Sequence, residues 1–459
     1  MNLENIKSLV LFLLVLFSLF LTFALWTYQP QFDELEQRDY LDRTKLDGQE
    51  QSISEVIYPN EVIFHHYNQA KKLLDKEEET DFYSEMTSWE ISKITSLNSS
   101  NQNVLNQFMQ ETDLGLQRNN LNESIELHFP DDLPMELIPQ MFNVSDVTGI
   151  LSGSFNKMYL HLDSSAQDIK ILFLSDRRDE EQIFVGNIQS SDVYAELEGQ
   201  IDNRSKMMFL SRYPIGNKEF YLPNEEESMP AYTLTTEDLD LEPLKNVLFN
   251  NPSLIRRTSS ALDESSHHTD GNRALKTYSA FNYNEFIVFI NPLSNEQIRM
   301  NPDDLVNRSI EFTNDHTGWT DEYKLSKLSI QPTNTLTYRM YYNGYPVFDS
   351  SQYTIMEQDW GDNGLYRMKR PLFKISQEFS NAQEKRMDSG EQIYQSLQSI
   401  EGQVSLDLIE EFRLGYKLSK HPDVTSQVMT LEPSWYIKYQ GTWEEYNSFT
   451  SKYLNQGVE

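Results

Sequence analysis

The stretch KSLVLFLLVLFSLFLTFALWTY, residues 7–28, decides how the rest of the chain is read. From Ser8 to Leu25 it carries no charge, no Gly and no Pro, and its only polar side chains are Ser8, Ser18 and Thr22. A helix of roughly twenty such residues is about 30 Å long, the thickness of a bilayer's hydrocarbon core. Trp26 and Tyr28 follow at once, as aromatic side chains do at a membrane interface, and Pro30 stops the helix. Residues 8–28 are therefore predicted to form a single transmembrane helix, with Trp26 and Tyr28 as its interface anchors. A buried core helix would need an apolar partner of similar length, and the sequence has none. A cleaved signal peptide is the stronger rival, because Lys7 supplies a positive charge and Thr22-Phe23-Ala24 a small-x-small site. The apolar run is long for that role and continues past the site into Leu25 and Trp26. A lipoprotein signal is excluded, since there is no cysteine to acylate.

Outward from this stretch the chain changes character. Glu4 and Lys7 cancel, so the whole formal charge of −33 lies beyond the helix. Nucleic acid selects basic surfaces, so a nucleic-acid role is excluded, and docking of the chain as a whole onto anionic lipid is disfavoured. A large C-terminal portion translocates largely regardless of its own charge. The expected topology is a single-pass protein of the cell membrane, with its N-terminus cytoplasmic and its C-terminal domains extracellular. Zero cysteines mean no disulfides, no thiol catalysis and no thiolate metal site. Aromatics make up 12% of the residues, enough to build cores despite the polar average.

Hydrophobic patterning predicts an α+β fold beyond the anchor, a multi-domain extracytoplasmic region of antiparallel sheets with packed helices. The expected division is a cytoplasmic tail at 1–7, the transmembrane helix at 8–28 and a juxtamembrane segment at 29–52. An N-terminal ectodomain follows at 53–150, a middle α+β domain at 151–290 and a C-terminal α+β domain at 291–459. Residues 55–64 read as strand–turn–strand around Pro59-Asn60, and 80–97 as a helix capped by Thr80. Strands are expected at 124–129, 155–162, 169–174, 183–188, 207–210 and 219–222, with helices at 191–201 and 237–249. Residues 259–272, holding His267-His268, read as a polar loop before a hairpin of 275–278 with 286–290. Pro302 opens a helix, and 323–330 pairs with 335–342. Ser389 with Gln392 forms a capping box, and 404–418 pairs with 428–440. The middle and C-terminal sections share this layout, which suggests a structural duplication.

A search for chemistry returns little. There is no P-loop, dinucleotide fingerprint, HExxH or GxSxG. The adjacent histidines of His65-His66 would point to opposite faces of a strand and could not share a metal, and His267-His268, with Asp263 and Asp270 beside them, have no metal-ligand spacing and are expected in a solvated loop. Asp359-Trp360-Gly361-Asp362-Asn363-Gly364 echoes a calcium loop but lacks an oxygen ligand at its third position and has Arg370 at the twelfth, so a hairpin turn is expected. Asp315-His316, near Trp319, has no nucleophile in view and reads as structural. No catalytic residue, metal site or cofactor is expected. The sharper signal lies in the helix itself. Ser8, Leu11, Val15, Ser18 and Thr22 share one face, opposite Leu13, Phe17 and Phe20. Small and hydroxylated residues allow close approach of a second helix, so this face is predicted to contact partner helices.

Four segments carry a resemblance to a known family. Leu25-Trp26-Thr27-Tyr28-Gln29-Pro30, Thr269-Asp270-Gly271-Asn272-Arg273, Gly344-Tyr345-Pro346-Val347 and Leu431-Glu432-Pro433-Ser434-Trp435-Tyr436 together resemble the YycH family, over essentially the whole chain. These are membrane-anchored regulators of the WalK–WalR two-component system of low-GC Gram-positive bacteria. The resemblance implies a non-enzymatic protein with a three-part α+β ectodomain. It also implies that the protein pairs with a sister protein, YycI, and contacts the sensor histidine kinase WalK through transmembrane helices, thereby controlling cell-wall metabolism. The alternatives from other classes are an anchored cell-wall hydrolase or peptidase using a carboxylate pair, and a binding module for a wall fragment.

Overall fold

The computed structural model describes residues 17–18, 44–66, 69–97, 123–146, 152–164, 166–175, 183–202, 207–259, 265–280, 283–294, 299–350, 353–361, 363–379, 383–420 and 427–454. Of the predicted membrane segment only Phe17 and Ser18 fall among them, and both are helical. They belong to a unit that ends at Thr44, and the fold described below belongs to the separate compact unit that starts at Lys45. No helix among the described residues is long and apolar enough to cross a membrane.

Two sheets organise this unit. The first takes β1 (Glu61–His66), β2 (Gln69–Leu73), β3 (Ser92–Leu97), β4 (Ser124–Pro134), β5 (Ser154–Asp163), β6 (Asp168–Leu174), β7 (Ile183–Ile188), β8 (Met207–Ile215) and β9 (Lys218–Pro223). Its order is β3-β7-β6-β5-β4-β1-β2-β8-β9, antiparallel throughout. The second sheet begins with β10 (Glu227–Asp238), β11 (Arg256–Ser259), β12 (Ser266–Thr269), β13 (Ala274–Ala280), β14 (Tyr283–Ile290), β15 (Tyr323–Ser329) and β16 (Asn334–Tyr342). It continues with β17 (Tyr345–Phe348), β18 (Ile355–Gly361), β19 (Gly364–Pro371), β20 (Phe373–Glu378), β21 (Gln383–Met387), β22 (Ile409–Lys420), β23 (Val428–Tyr439) and β24 (Thr442–Glu445). Its main path is β11-β12-β13-β14-β19-β18-β16-β17-β22-β23-β10-β20, with β15 on β16, β21 on β10 and β24 on β23. Among these strand pairs only β17 with β22 is parallel. Strand membership changes sheet once, between Pro223 and Glu227. At the expected divisions, β4 and β5 pair across residue 150, and β14 and β19 pair across residue 290.

The helices are α1 (Ile53–Val56), α2 (Lys76–Ser88), α3 (Ile138–Met141), α4 (Ser191–Asp202), α5 (Leu241–Leu248), α6 (Pro302–Asp315), α7 (Gly390–Ser399) and α8 (Tyr446–Leu454). Several begin where the sequence says they should. Pro302 is the first helical residue of α6, and Ser389 and Gln392 form the capping box of α7. Three expectations are corrected. The helix expected at 80–97 starts at Lys76, because Asp75 caps it and three glutamates sit in its first turn, where the helix dipole favours negative charge. Thr80 lies inside it and bonds back to the Lys76 carbonyl, while Ser92–Leu97 peels off as β3. The strand–turn–strand expected at 55–64 begins instead as α1, fixed by a Ser52–Glu55 capping box. Within the loop expected at 259–272, Ser266–Thr269 is instead β12, paired with β11 from Arg256↔Thr269 to Ser259↔Ser266.

One large core links the sheets. Phe155 is fully buried and meets Phe129 and Phe173 edge-on at 5.3 and 5.4 Å, and each such ring contributes about 1.5–3 kcal/mol by leaving water. Under α6 the apolar core is interrupted by a closed polar network. The Ser309 and Tyr338 hydroxyls are 2.6 Å apart, Ser309 donates to Gln358 Oε1, and the Gln358 amide donates to Thr313 Oγ1. Every member is satisfied, which fixes how α6 seats on β16 and β18. A smaller core gathers Leu239, Leu244, Leu248, Leu275 and Phe289 beneath α5, and Leu46 belongs to it.

Candidate functional site

Leu46 is the first sign of how the chain enters this unit. Residues 45–51 form no regular element of their own, yet they are gripped by the end of α6 and the loop after it. The Leu46 N–H donates to the His316 carbonyl at 2.8 Å, and the Gln49 N–H to the Trp319 carbonyl at 3.1 Å. The Thr317 hydroxyl donates to the Leu46 carbonyl. Asn314 closes the far end by accepting from the Gln51 N–H and donating to the Gln51 carbonyl, both at 2.9 Å. The Trp319 indole N–H holds the same Asn314 oxygen at 2.7 Å, so the amide cannot turn away. Asp47 pairs with Lys374, whose ammonium holds the exposed carboxyl below its usual range.

Gly48 makes this clasp possible. A Cβ at Gly48 would lie 2.4 Å from the Thr317 carbonyl oxygen and 2.6 Å from that of Trp319, both rigid backbone atoms. Only glycine lets the two chains approach this closely. The gripping loop is itself costly to form, since Thr317 sits at φ +48°, a left-handed conformation uncommon for a β-branched residue.

The loop rests on a buried polar cluster. His316 Nδ1 lies 2.6 Å from the Phe312 carbonyl, which assigns the proton to Nδ1 and leaves Nε2 bare. Burial, and then the nearby Arg370 guanidinium, push the His316 pKa down to about 3. Arg370 is itself fully buried, donating to the carbonyls of Pro371 and Gly318 at 3.3 and 3.2 Å. Burial raises the neighbouring Asp321 to about 6, although its carboxylate accepts the Ile375 N–H at 2.9 Å. This cluster has no nucleophile aimed at open space. It props the loop.

A second feature is a cavity of about 80 Å³ between the two sheets, room for a few waters. Tyr345, Pro346 and Trp435, from two of the resembling segments, help line it. Its charges answer one another: Lys72 with Glu227 at 2.5 Å, Lys76 with Glu79 at 2.6 Å, and Arg413 with Glu411. Gly344, at φ +74°, lets β17 pass within contact of Lys76. Nearby, Glu126 accepts from His65 Nε2 at 3.0 Å and from His128 Nε2 and Tyr159 at 2.6 Å. Burial alone would raise Glu126, but the two histidines hold it well below the usual range. Burial alone would lower His128, and Glu126 and Glu61 carry it up to about 9. These acid–imidazole contacts are spent on each other.

The remaining sequence expectations fall into place around these features. His65 is buried and His66 half-buried at the end of β1, whose residues Val62 to His65 are all buried. His268 is buried, 3.0 Å from the Ser266 hydroxyl, which corrects the solvated-loop reading; burial and then Lys245 push its pKa down to about 4. Among the described residues no cluster of ligand-type side chains could hold a metal. Gly361 pairs with Gly364 in a β18–β19 hairpin, in place of a calcium loop. Asp270 accepts the N–H groups of Asn272 and Arg273 in the β12–β13 turn, and Arg273 donates to the Leu248 carbonyl at the end of α5. Trp435 donates to the Asp388 carbonyl at 2.9 Å. These resembling segments do structural work. Ser8, Leu11, Val15, Thr22, Trp26 and Tyr28 lie outside the described residues; Ser18 is described only as helical. The clasp escaped the sequence reading, because Gly48 and Thr317 carry no motif and meet across 269 positions.

What the fold and site define is an α+β protein whose compact unit is gripped at its first residues by the loop after α6. The family model for the YycH protein N-terminal domain matches residues 4–205, and that for the C-terminal domain matches residues 217–453. The chain belongs to the YycH family. It is 23% identical over 462 residues to the two-component system WalR/WalK regulatory protein YycH of Bacillus subtilis strain 168, covering 96% of each chain. Its fold is that of the crystal structure of YycH from Bacillus subtilis, with a TM-score of 0.70 at 19% identity over 88% of this chain and 99% of the other.

Replacing Gly48 by Val is expected to open the clasp and to destabilise the fold by about 2–4 kcal/mol through lost hydrogen bonds and displaced backbone. Hydrogen exchange checks it: the Leu46, Gln49 and Gln51 amides should be accelerated more than those of β22 and β23, which report only the global loss of stability. His316 and Asp321 give the clasp opposite pH responses. The lowered pKa of His316 contributes stability that is present above 6.5 and lost as pH falls towards about 3. The raised pKa of Asp321 contributes stability present below 3.8 and lost as pH rises through about 6. Denaturation of His316→Asn across pH 3–7 is therefore expected to lack the acid-side loss, and its difference from the unsubstituted protein isolates that one group.

Proposed function

We propose that this chain is a membrane-anchored, non-enzymatic regulator of a WalK-type sensor histidine kinase that controls cell-wall metabolism. Family membership supports this reading, as does the role of the Bacillus subtilis relative, a WalR/WalK regulatory protein. Residues 8–28 span the membrane once, with the N-terminus in the cytoplasm and the α+β region outside. The face of Ser8, Leu11, Val15, Ser18 and Thr22 packs against helices of the kinase and of a sister protein of the YycI type.

The observation that carries the mechanism is the clasp. A loose linker would let the exterior move without consequence for the anchor. Gripping within residues 45–51 fixes the start of the α+β unit to the loop after α6, so a pull on the chain from the membrane side would act on that loop. The kinase needs two helix-bundle states that bind this anchor differently, since equal affinity for both would shift nothing.

Co-purification of the full-length protein with membrane partners tests the reading. Leu at Ser8, Ser18 and Thr22 is expected to lose the kinase or sister protein, and Ala at Leu13, Phe17 and Phe20 to retain them. Retention by both sets would remove the helix face from the mechanism. Absence of any membrane partner with the unsubstituted protein would overturn the function.

A further inference from the structure

One face of the second sheet runs against the charge of the whole chain. Two rows of directly paired residues cross eight strands from β11 to β15, one from Arg256 to Ser329 and the other from Thr258 to Lys327. Residues paired side by side share a face. Every position in both rows is exposed or half-exposed except Asp359, which is 9% exposed. The opposite face carries Leu275, Phe289 and Gln358, buried towards the helices. At a strand spacing of about 4.8 Å the rows run for about 34 Å.

Their cations are Arg256, Lys276, Lys327, Arg367 and Lys369, and their only carboxylates are Glu357 and Asp359. Both carboxylates bond the single guanidinium of Arg367. This is a basic face on a chain of net charge −33. Aromatic rings accompany the charges: Tyr278 and Phe286 stack at 4.5 Å, with the Lys276 ammonium 4.5 Å from the first ring and that of Lys369 5.0 Å from the second. Val288 and Ile290 stand in the same rows, and Leu293, just past β14, is 66% exposed.

We propose that this face docks the acidic, partly apolar surface of a second extracytoplasmic protein, an inference that rests on the regulatory reading above. Charge complementarity selects an acidic partner, and the same argument opposes another copy of this basic face. The mixture selects a protein. Aromatic rings, guanidinium and apolar side chains between cations are the composition of a protein contact, and Val288 and Ile290 would gain nothing from a phosphate polymer. An anionic bilayer would repel the rest of so acidic a chain.

Photo-crosslinking in native membranes tests this with the full-length protein. A benzophenone side chain is placed at Thr258 or His267 within the rows, or at exposed Gln398 as a control, and adducts are identified by mass spectrometry. The expected result is adducts from Thr258 and His267, but not Gln398, to an acidic extracytoplasmic surface of the kinase or sister protein. Combining Lys276→Glu with Lys369→Glu should lower their yield at least fivefold, whereas Lys276→Arg with Lys369→Arg should keep it. Adducts only to a second copy of this chain, or a yield unmoved by charge reversal, would overturn the proposal. Absence of adducts while the partners still co-purify would overturn it and leave the regulatory function standing. Absence of both adducts and co-purifying partners would overturn the two together.

Discussion

The entry into the α+β unit depends on one close approach, that of Gly48 to the carbonyls of Thr317 and Trp319. Without a side chain at that point, two backbones meet closely enough for residues 46–51 to exchange hydrogen bonds with residues 314–319. A single turn of ordinary linker becomes a fixed part of the fold. The support beneath it is unusual for a loop. Buried Arg370 donates to the Gly318 carbonyl of the loop and to the Thr320 hydroxyl beyond it, and His316 is held neutral where protonation would leave a second buried cation. The loop is positioned by groups that tolerate few alternatives.

From the clasp the chain passes to both sheets in turn. Leu46 packs into the small core beneath α5, and within a few residues Val56 and Ile57 enter the large core shared by the two sheets. Lys324 on β15 then donates to the Glu55 carbonyl, and Asp131 on β4 accepts the N–H of Leu328. The entry segment is thus tied to the second sheet, and the second sheet to the first.

Much of the fold was legible in the sequence, and the errors have local causes. Alternation found β5, and short continuous apolar runs found β6 and β7, because both patterns are local to the strand that carries them. The α6 and α7 starts were legible because Pro302 and the Ser389–Gln392 box act locally. The Ser52–Glu55 box is equally local but was overshadowed by the two apolar runs that follow it. The α2 boundary slipped because Thr80 is a good cap residue, while the decisive cap, Asp75, lies outside the apolar pattern. β11 escaped because Arg256 to Ser259 are exposed at every position, leaving no alternation to read. The clasp and the basic face depend on pairings across long stretches of chain, and no local pattern encodes them.

The most direct measurement compares kinase-dependent transcription in cells carrying Gly48→Val with cells carrying a locked clasp. The chain has no cysteine, so one pair of cysteines, placed where Cα atoms of residues 45–51 and 314–319 lie within about 6 Å, offers a single engineered bond. If the clasp carries the signal, the locked protein regulates like the unsubstituted one. Gly48→Val, present at the same level in the membrane, then behaves like a protein lacking its ectodomain. Full regulation by Gly48→Val, with hydrogen exchange confirming that its clasp is open, would contradict the account.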